Sequence, residues 1–218
     1  MYINRGCDVA DYNGIWTACS SIVRLLDYGF AQREPIDSVH PKAGLVRTED
    51  LNAIAGSGTA GSSISTSLQR PMLTIFVYRV DVNRTMRAAW SAAGHRDGRA
   101  HLPLDLHFLI TPWASNAEHE YAILGRAMEC LESQPILSGP LLVDIGDPAQ
   151  PSWAPGDAIQ ISLSELTTEE VMRTFDSLPL DYKLSVPYVA RIIRIDEKQA
   201  RMAPPVTEVQ RGSAPLRR

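Results

Sequence analysis

Three polar side chains on one predicted strand have the residue types of a candidate metal site. His101, Asp105 and His107 occur in HLPLDLHFLITPWA, where apolar residues alternate with mostly polar ones. Successive side chains of a strand point to opposite faces, so these three share one face. Two imidazoles and a carboxylate suit a divalent cation. The alternative, which we favour, is that they line the solvated or subunit-facing side of the sheet, since antiparallel sheets are often polar on one face.

A glycine-rich segment, GSGTAG at residues 56–61, fits the pattern G-x-G-x-x-G, and Asp81 follows at a distance typical of dinucleotide-binding folds. Such a turn must join a strand to a helix, because the helix N-terminus holds the pyrophosphate. Residues 51–55 make a weak strand and residues 62–70 a weak helix. We therefore interpret the segment as a loop of small residues. A small nucleotide- or metal-binding enzyme that uses this loop or the His101, Asp105 and His107 face remains the alternative.

Other groups of residues give even weaker indications of a catalytic or binding site. No G-x-S-x-G sequence follows a predicted strand and opens a helix, so a serine hydrolase is not indicated. The arginines between residues 84 and 99 could bind phosphate, but Trp90 is the only aromatic residue among them, which disfavours nucleic acid. The sequence therefore predicts no catalytic, cofactor-binding or metal-binding residue, and no cofactor.

Composition places the chain among soluble globular proteins. It has 218 residues, of which 44% are hydrophobic and 21% charged, with a formal net charge of −4. No apolar run approaches the ~18 residues of a membrane span, and the first residues lack the pattern of a signal peptide. The cysteines Cys7, Cys19 and Cys130 lack the spacing of a disulfide or zinc framework, which favours reduced thiols in the cytoplasm.

Hydrophobic periodicity predicts one domain of the α/β (α+β) class. Its sheet is mixed, mostly antiparallel and built of about four to five strands, with about three helices packed on it. The strands are predicted near residues 73–82, 101–112, 158–163 and 184–195, with a possible short strand at 43–46, and the helices at 14–30, 116–133 and 168–177. Residues 1–10 are predicted to be a flexible N-terminus, 11–196 the domain, 52–70, 83–100 and 135–157 flexible excursions, and 197–218 a disordered basic tail of formal charge +3.

Local patterns predict details of packing. Ser115 and Glu118 have the spacing of a capping box for the helix that Pro135 ends, and Thr167 or Thr168 is predicted to cap the next helix. Pro187 predicts an edge position or a bulge in the last strand. The predicted stripe of the first of these helices is Ala117, Tyr121, Leu124, Met128 and Leu131, and the inward residues of the next are Val171, Met172 and Phe175. The predicted core is Ile75, Val77, Leu104, Leu106, Phe108, Leu124, Met128, Leu131, Phe175 and Ile192.

Four long segments occur here in the order found in one protein family. They are MLTIFVYRVDVNRTMR (residues 72–87), LPLDLHFLITPWA (102–114), AEHEYAILGRAMECLESQPILSGPLL (117–142) and ISLSELTTEEVMRTFDSLPLDYKLSVPYVARIIRI (161–195). In these segments the chain resembles the tail-terminator, or cap, proteins of phage-tail-like contractile injection systems. The glycine- and serine-rich loop and the basic tail are less characteristic of that family.

The resemblance implies a structural, non-enzymatic role. It implies a six-membered ring that caps the distal end of tube and sheath and limits their length, with tube and sheath proteins as partners. Neither nucleic acid nor membrane insertion is expected. Assembly is expected in the cytoplasm, as part of a particle that is then released or membrane-anchored. Because a ring needs contacts that close after a fixed rotation, we expect the excursions at 83–100 and 135–157 to make ring contacts, and the last strand to lie near a docking edge.

Overall fold

The computed structural model describes residues 12–37, 39–56, 70–89, 100–144, 152–178 and 181–196. Within these ranges six strands form one sheet, and five α-helices and a 3-10 turn accompany it. The strands are β1 (Lys42–Leu45), β2 (Met72–Val82), β3 (His101–Trp113), β4 (Ile136–Ser138), β5 (Ala158–Leu163) and β6 (Val186–Asp196). The helices are α1 (Gly14–Gln32), α2 (Thr48–Gly56), α3 (Arg84–Ala89), α4 (Ala117–Ser133) and α5 (Thr168–Asp176), and the 3-10 turn is Gly139–Leu141.

The sheet is mixed and mostly antiparallel, which confirms the predicted fold class. Its spatial order is β1-β2-β3-β6-β5-β4, and only β1 and β2 run parallel. The predicted number of strands was slightly low, because β4 has three residues, too few to produce a period of two. No helix in the part of the chain that is described is long and apolar enough to cross a membrane.

The predicted excursions contain regular structure where they are described. Residues 52–56 belong to α2, residues 84–89 form α3, and residues 136–138 form β4. Helix α2 has Glu49 and Asp50 in its first turn, where carboxylates favour the helix dipole. Leu51 and Ile54 of this helix are buried against Trp113 in a small cluster. Tertiary packing therefore orders a segment whose composition alone predicted a loop. Residues 57–69, 90–99 and 145–151 of these excursions, together with the N-terminus and the basic tail, lie outside the described ranges.

One face of the sheet carries the main core, under α1 and α4. Leu104, Leu106, Phe108 and Ile110 of β3 point to this side and are buried. Of the predicted core residues, Val77 and Met128 are only partly buried, and the side chain of Ile192 lies outside the described part of the chain. The predicted core residues that are buried are Ile75, Leu104, Leu106, Phe108, Leu124, Leu131 and Phe175.

The opposite face of β3 is covered at one end and polar at the other. Leu109 packs with Val171 and Phe175 of α5, and Trp113 packs with α2. The face predicted to be solvated or subunit-facing is therefore largely buried within the domain, including His107. The buried polar side chains of this face have polar partners: His107 contacts Arg79, and Thr111 contacts the Ser185 hydroxyl.

Two details of α4 differ from prediction. The N-cap is Asn116, whose side chain accepts a hydrogen bond from the His119 amide at 2.8 Å, so the predicted capping box of Ser115 and Glu118 does not form. Tyr121 is exposed instead of facing inward. The stripe is rotated because apolar residues flank both sides of the predicted line, and the structure buries Ile123, Leu124, Ala127, Cys130 and Leu131.

Two predictions at the end of the domain are also corrected. Strand β6 lies between β3 and β5, so Pro187 does not mark an edge. It is the second residue of the strand, where a missing amide donor is tolerated. In α5, Thr167 is the N-cap and forms a capping box with Glu170, but Met172 is exposed. Helix α5 is short and covers only a small area of the sheet, so two inward positions, Val171 and Phe175, suffice.

A glycine allows α1 and α4 to approach closely. A Cβ atom at Gly29 would overlap the Cys130 sulfur and lie 3.3 Å from the Cys130 Cβ. The Gly29 carbonyl also accepts a hydrogen bond from Arg126 Nη2 at 2.8 Å. At this point α1 and α4 are therefore in close contact, stabilised by complementary packing and by a hydrogen bond.

Replacing Gly29 with alanine should therefore lower the free energy of unfolding by about 1–3 kcal/mol, because the new methyl group overpacks a closed contact. Chemical denaturation measures this loss. Gly125→Ala is the matched control: nothing lies within 4 Å of a Cβ there, and alanine should stabilise the helix interior. Equal stability of both variants would show that the helices are not in contact at Gly29.

Candidate functional site

His101 belongs to a buried ionic chain that closes one end of the sheet. Its Nδ1 lies 2.6 Å from Asp196 Oδ1, and both side chains are buried. Asp196 Oδ2 lies 2.6 Å from Arg194 Nε, and Arg194 Nη2 lies 3.5 Å from Asp157 Oδ1. Burial raises the pKa of the Asp196 carboxyl, while the His101 hydrogen bond and the Arg194 charge act in the opposite direction. This chain joins β3, β6 and the turn before β5.

Asp105 and His107 belong to a second polar group, on β2, β3 and β6. Asp105 accepts hydrogen bonds from Asn83 Nδ2 at 3.1 and 3.3 Å, and its Oδ2 lies 3.4 Å from Arg191 Nε. The His107 ring nitrogens lie 3.1 and 3.3 Å from Arg79 Nη2. Each side chain is thus held by a cation or an amide.

This arrangement does not support the metal hypothesis. His101 and His107 are six residues apart on a strand, so their backbones are about 20 Å apart and cannot share an ion. Side chains on the same face of a strand therefore need not belong to the same site. No group of three or more histidine, cysteine, aspartate or glutamate residues in the described part of the chain could hold a metal ion.

The nucleotide-binding hypothesis fails on the order of elements. Gly56 is the last residue of helix α2, so a helix precedes the glycine-rich segment where the motif requires a strand. The rest of GSGTAG, residues 57–61, lies outside the described ranges. Asp81, the predicted ribose ligand, lies 3.0 Å from Arg79 Nε and 3.3 Å from His107 Nε2. Its carboxylate is therefore part of the second polar group on the sheet, in contact with Arg79 and His107.

The second polar group forms the floor of an open groove of about 720 Å³, next to α3. Arg79 and Arg191 are about half exposed there, whereas Asp105 is largely buried. Carboxylates and guanidinium groups are interleaved, so the charge is locally balanced. Among the described residues that line the groove, the carboxylates of Asp81 and Asp105 each contact a guanidinium group.

The pKa of His107 is lowered, chiefly by burial and then by the Arg79 charge, although Asp81 and Asp105 oppose the shift. The folded state therefore binds a proton at His107 less readily than the unfolded chain does. The stability that depends on the neutral ring is present above the ordinary histidine pKa of about 6.5, and is lost as the pH falls from there through the lowered pKa of the folded state.

We expect His107→Gln to flatten the fall in unfolding free energy between about pH 7 and 5.5, because glutamine does not titrate. Urea denaturation at a series of pH values measures the slope. The parent chain, measured in the same series of buffers, is the reference. The same pH slope in His107→Gln as in the parent chain would contradict the assignment.

A second groove, of about 680 Å³, is mostly apolar and lies where α1 begins. Tyr12 and Trp16 line one wall, and residues 75–78 of β2 line another. Trp16 is 52% exposed although it belongs to the first turn of a packed helix. This groove adjoins the edge of the sheet at β1 and β2, and the opposite edge is β4. The two grooves and the two sheet edges are the candidate interaction surfaces.

A family model, the Pvc16 N-terminal domain, matches residues 19–208, which is most of the chain. The chain belongs to the Pvc16 N-terminal domain family. This confirms the family relationship predicted from the sequence. No curated protein matches the chain.

Two solved structures are similar to this member of the Pvc16 N-terminal domain family. One is the PVC sheath/tube terminator of an extracellular contractile injection system in the extended state, with 18% identity, a TM-score of 0.42 and coverage of 77% of this chain and 62% of that chain. The other is the tube-terminating cap of the anti-feeding prophage, with 12% identity, a TM-score of 0.41 and coverage of 76% and 59%. The chain thus spans about three fifths of the length of each.

Sequence reasoning missed most of the polar partners in this Pvc16 N-terminal domain. Asp196 lies one residue beyond the predicted end of the last strand. That strand was predicted to be at an edge, so its pairing with β3, which places Asp196 opposite His101, was not expected. Arg79 and Asp81 were available as a signal, because two opposite charges two residues apart on a largely apolar strand share one face. The positions of Asn83 and Arg191 could be assigned only with the strand order in hand.

Proposed function

We propose that this chain is a structural terminator of a contractile injection particle. It caps the distal end of the tube and sheath, limits their length, and performs no catalysis. It needs no cofactor, and its partners are copies of itself and the tube and sheath proteins. Nucleic acid and membrane insertion play no part in this role.

The match to the Pvc16 N-terminal domain model over residues 19–208 carries the proposal. The resemblance seen in the sequence implies a terminator role for that family. The names of the similar structures, a sheath/tube terminator and a tube-terminating cap, agree with it.

The chemistry of the grooves supports the same role. The polar groove contains carboxylates already matched by Arg79, Arg191 and Asn83, which leaves little to activate a substrate. The apolar groove has an exposed tryptophan on its wall, and tryptophan is enriched where proteins meet. These surfaces fit a protein that works by contact with other proteins.

The positions of the two predicted contact regions support a ring. Helix α3, in the predicted excursion at 83–100, follows β2 near one end of the sheet. Strand β4 and the 3-10 turn, in the excursion at 135–157, lie at the other end. A ring needs two different surfaces on opposite sides of the subunit. We propose six subunits, as the resemblance implies, assembled in the cytoplasm onto a finished tube and carried in the particle when it is released or anchored.

The location of the protein on the particle tests the proposal. Particles purified from cells that express an affinity-tagged chain would be labelled with gold and imaged by electron microscopy. Label at one end only, distal to the baseplate, is the expected result. Label along the length of the sheath, or at the baseplate, would overturn the proposed function. A tagged sheath protein, which should label the whole length, is the control.

A further inference from the structure

Part of β2 has no neighbouring strand among the described residues on the side away from β3. Strand β1 pairs only with Met72–Ile75, and the last contact is the Val46 amide donating to the Ile75 carbonyl at 3.1 Å. Strand β2 continues to Val82. The stretch from Val77 to Val82 therefore forms a strand edge beyond the end of β1, here named the β2 edge.

The hydrogen-bonding groups of the β2 edge can be assigned. The Asn83 amide donates to the Pro103 carbonyl of β3 at 3.0 Å, so the backbone of Asn83 faces β3. Backbone groups alternate sides along a strand, so those of Val82 and Val80 point away from β3. Val80 and Val82 are 45% and 36% exposed. Their side chains lie on the same face of the sheet as the main core, opposite Leu106 and Leu104 of β3. Such an edge is a template for another strand.

The opposite end of the sheet offers a second edge, on β4. The Ile161 amide donates to the Pro135 carbonyl at 2.7 Å, so the backbone of Pro135 faces β5. By alternation, the backbone groups of Ile136 and Ser138 point outward. Ile136 is 50% exposed. Its carbonyl accepts a hydrogen bond from Gln134 Nε2 at 2.8 Å, and this exposed amide side chain can turn aside when a strand arrives.

We propose that the β2 edge of one copy pairs with β4 of a second copy, so that the sheet continues across the boundary between subunits. This inference rests on the proposed function, because it names the contact that builds the ring. A second copy is the occupant because, within the part of the chain that is described, one sheet has an unpaired strand stretch at each end, the β2 edge beyond β1 on one side and β4 on the other. Two different surfaces that meet head to tail form a ring when the rotation between copies closes and a filament when it does not, whereas pairing of like edges stops at a dimer.

The contact adds main-chain hydrogen bonds together with apolar burial. The valines of the β2 edge and Ile136 of β4 are β-branched, and such residues stabilise strand pairs. The apolar groove of Tyr12 and Trp16 adjoins the start of the β2 edge, so it can receive side chains next to the added strand. The side chains of Arg79 and Asp81 lie on the other face of the sheet and pair with each other, so the added strand leaves this ion pair unchanged.

Proline substitutions test the contact through the backbone. Val80→Pro and Ile136→Pro each remove one outward amide donor, and proline is tolerated at an edge where the amide faces solvent. We expect the parent chain to form a ring by native mass spectrometry and multi-angle light scattering. Each proline variant alone should lose every species above the monomer. Val82→Pro, nearer the strand end, replaces Val80→Pro if that variant does not fold.

Two controls separate the backbone effect from the loss of the side chain. Val80→Thr and Ile136→Thr keep the amide donor and a β-branched side chain, so both should form the ring. Circular dichroism and the unfolding midpoint of each proline variant should show an intact domain. Loss of the ring in the threonine variants as well would overturn the claim that backbone pairing makes the contact.

Mixing the two proline variants tests the head-to-tail direction. Val80→Pro still offers β4, and Ile136→Pro still offers the β2 edge, so a mixture has one usable contact. It should form a dimer that contains one copy of each, and nothing larger. If Ile136→Pro alone associates as the parent does, the partner of the β2 edge is not β4. A mixture that stays monomeric also overturns the proposal.

The outcome for the ring contact can be told apart from the outcome for the proposed function. A parent chain that stays monomeric at all concentrations would overturn this self-association, and so would rings that survive both proline substitutions. The terminator role would then still be decided by the position of the labelled chain on particles. Conversely, rings that form as expected but never lie at a particle end would leave the contact standing and reject the function.

Discussion

Replacing Leu106 with alanine is expected to lower the free energy of unfolding by about 2–5 kcal/mol. Leu106 lies in the middle of β3, is 1% exposed, and faces Val80 of β2 and Ala190 of β6 in the register of the sheet. The truncation removes buried methyl groups and leaves a cavity that three strands under two helices cannot readily close. Denaturation in urea, with the midpoint and slope fitted together, measures the loss.

Leu163→Ala is the matched control for this substitution. Leu163 is the last residue of β5 and is 50% exposed, so its truncation should change the stability by less than about 0.5 kcal/mol. If the two variants had the same stability, the assignment of the even-numbered residues of β3 to the main core would be wrong.

The second large effect is expected at Asp196. Replacing it with alanine should destabilise the fold by about 3–5 kcal/mol, because Arg194 and His101 would each lose the carboxylate that they contact in a buried place. A thermal or urea unfolding curve measures the change. Asp196→Asn should cost less, since its side-chain oxygen still accepts a hydrogen bond.

An exposed aspartate provides the reference for that experiment. Asp176, at the end of α5, is exposed, and Asp176→Ala should leave the unfolding midpoint almost unchanged. Equal midpoints for Asp196→Ala and the parent chain would mean that the ionic chain of His101, Asp196 and Arg194 contributes nothing to holding β3 and β6 together.

Strong periodic segments could be predicted from the sequence because their pattern reflects local geometry. The alternation in residues 101–112 placed β3, and the change of period after it placed α4 within a residue of its observed start. Leucines and phenylalanines at strand or helix spacing gave the right burial for most of the predicted core. The fold class followed from these few elements, since a sheet with apolar residues on one side must be covered by helices.

Short elements and exact helix faces could not be predicted, because distant contacts decide them. Helix α2 is ordered by Trp113, a residue far along the chain, and β4 by pairing with β5. Tyr121 fits an apolar stripe on paper, yet Ile123 is the residue that the sheet covers. Pro187 looked like an edge signal, and only the strand order showed that another strand lies on each side of β6.

The candidate surfaces also depend partly on local sequence patterns and partly on distant contacts. Sequence spacing brought His101, Asp105 and His107 to one face of β3, but the length of the strand separates the two histidines, and different partners hold each of them. The free edges depend on where β1 stops beside β2, which no local pattern reveals. The excursions at 83–100 and 135–157 contain α3 and β4 where they are described, and their ring contacts stay a prediction.

The length distribution of particles is the most direct test of the central claim, that this chain works by the shape that it presents to a growing cylinder. Particles from cells with and without the gene would be measured by electron microscopy, with a plasmid copy restoring the chain as a control. The account predicts a uniform length when the chain is present, and a broad distribution, with uncapped tubes, when it is absent. Particles of normal and uniform length without the chain would contradict it.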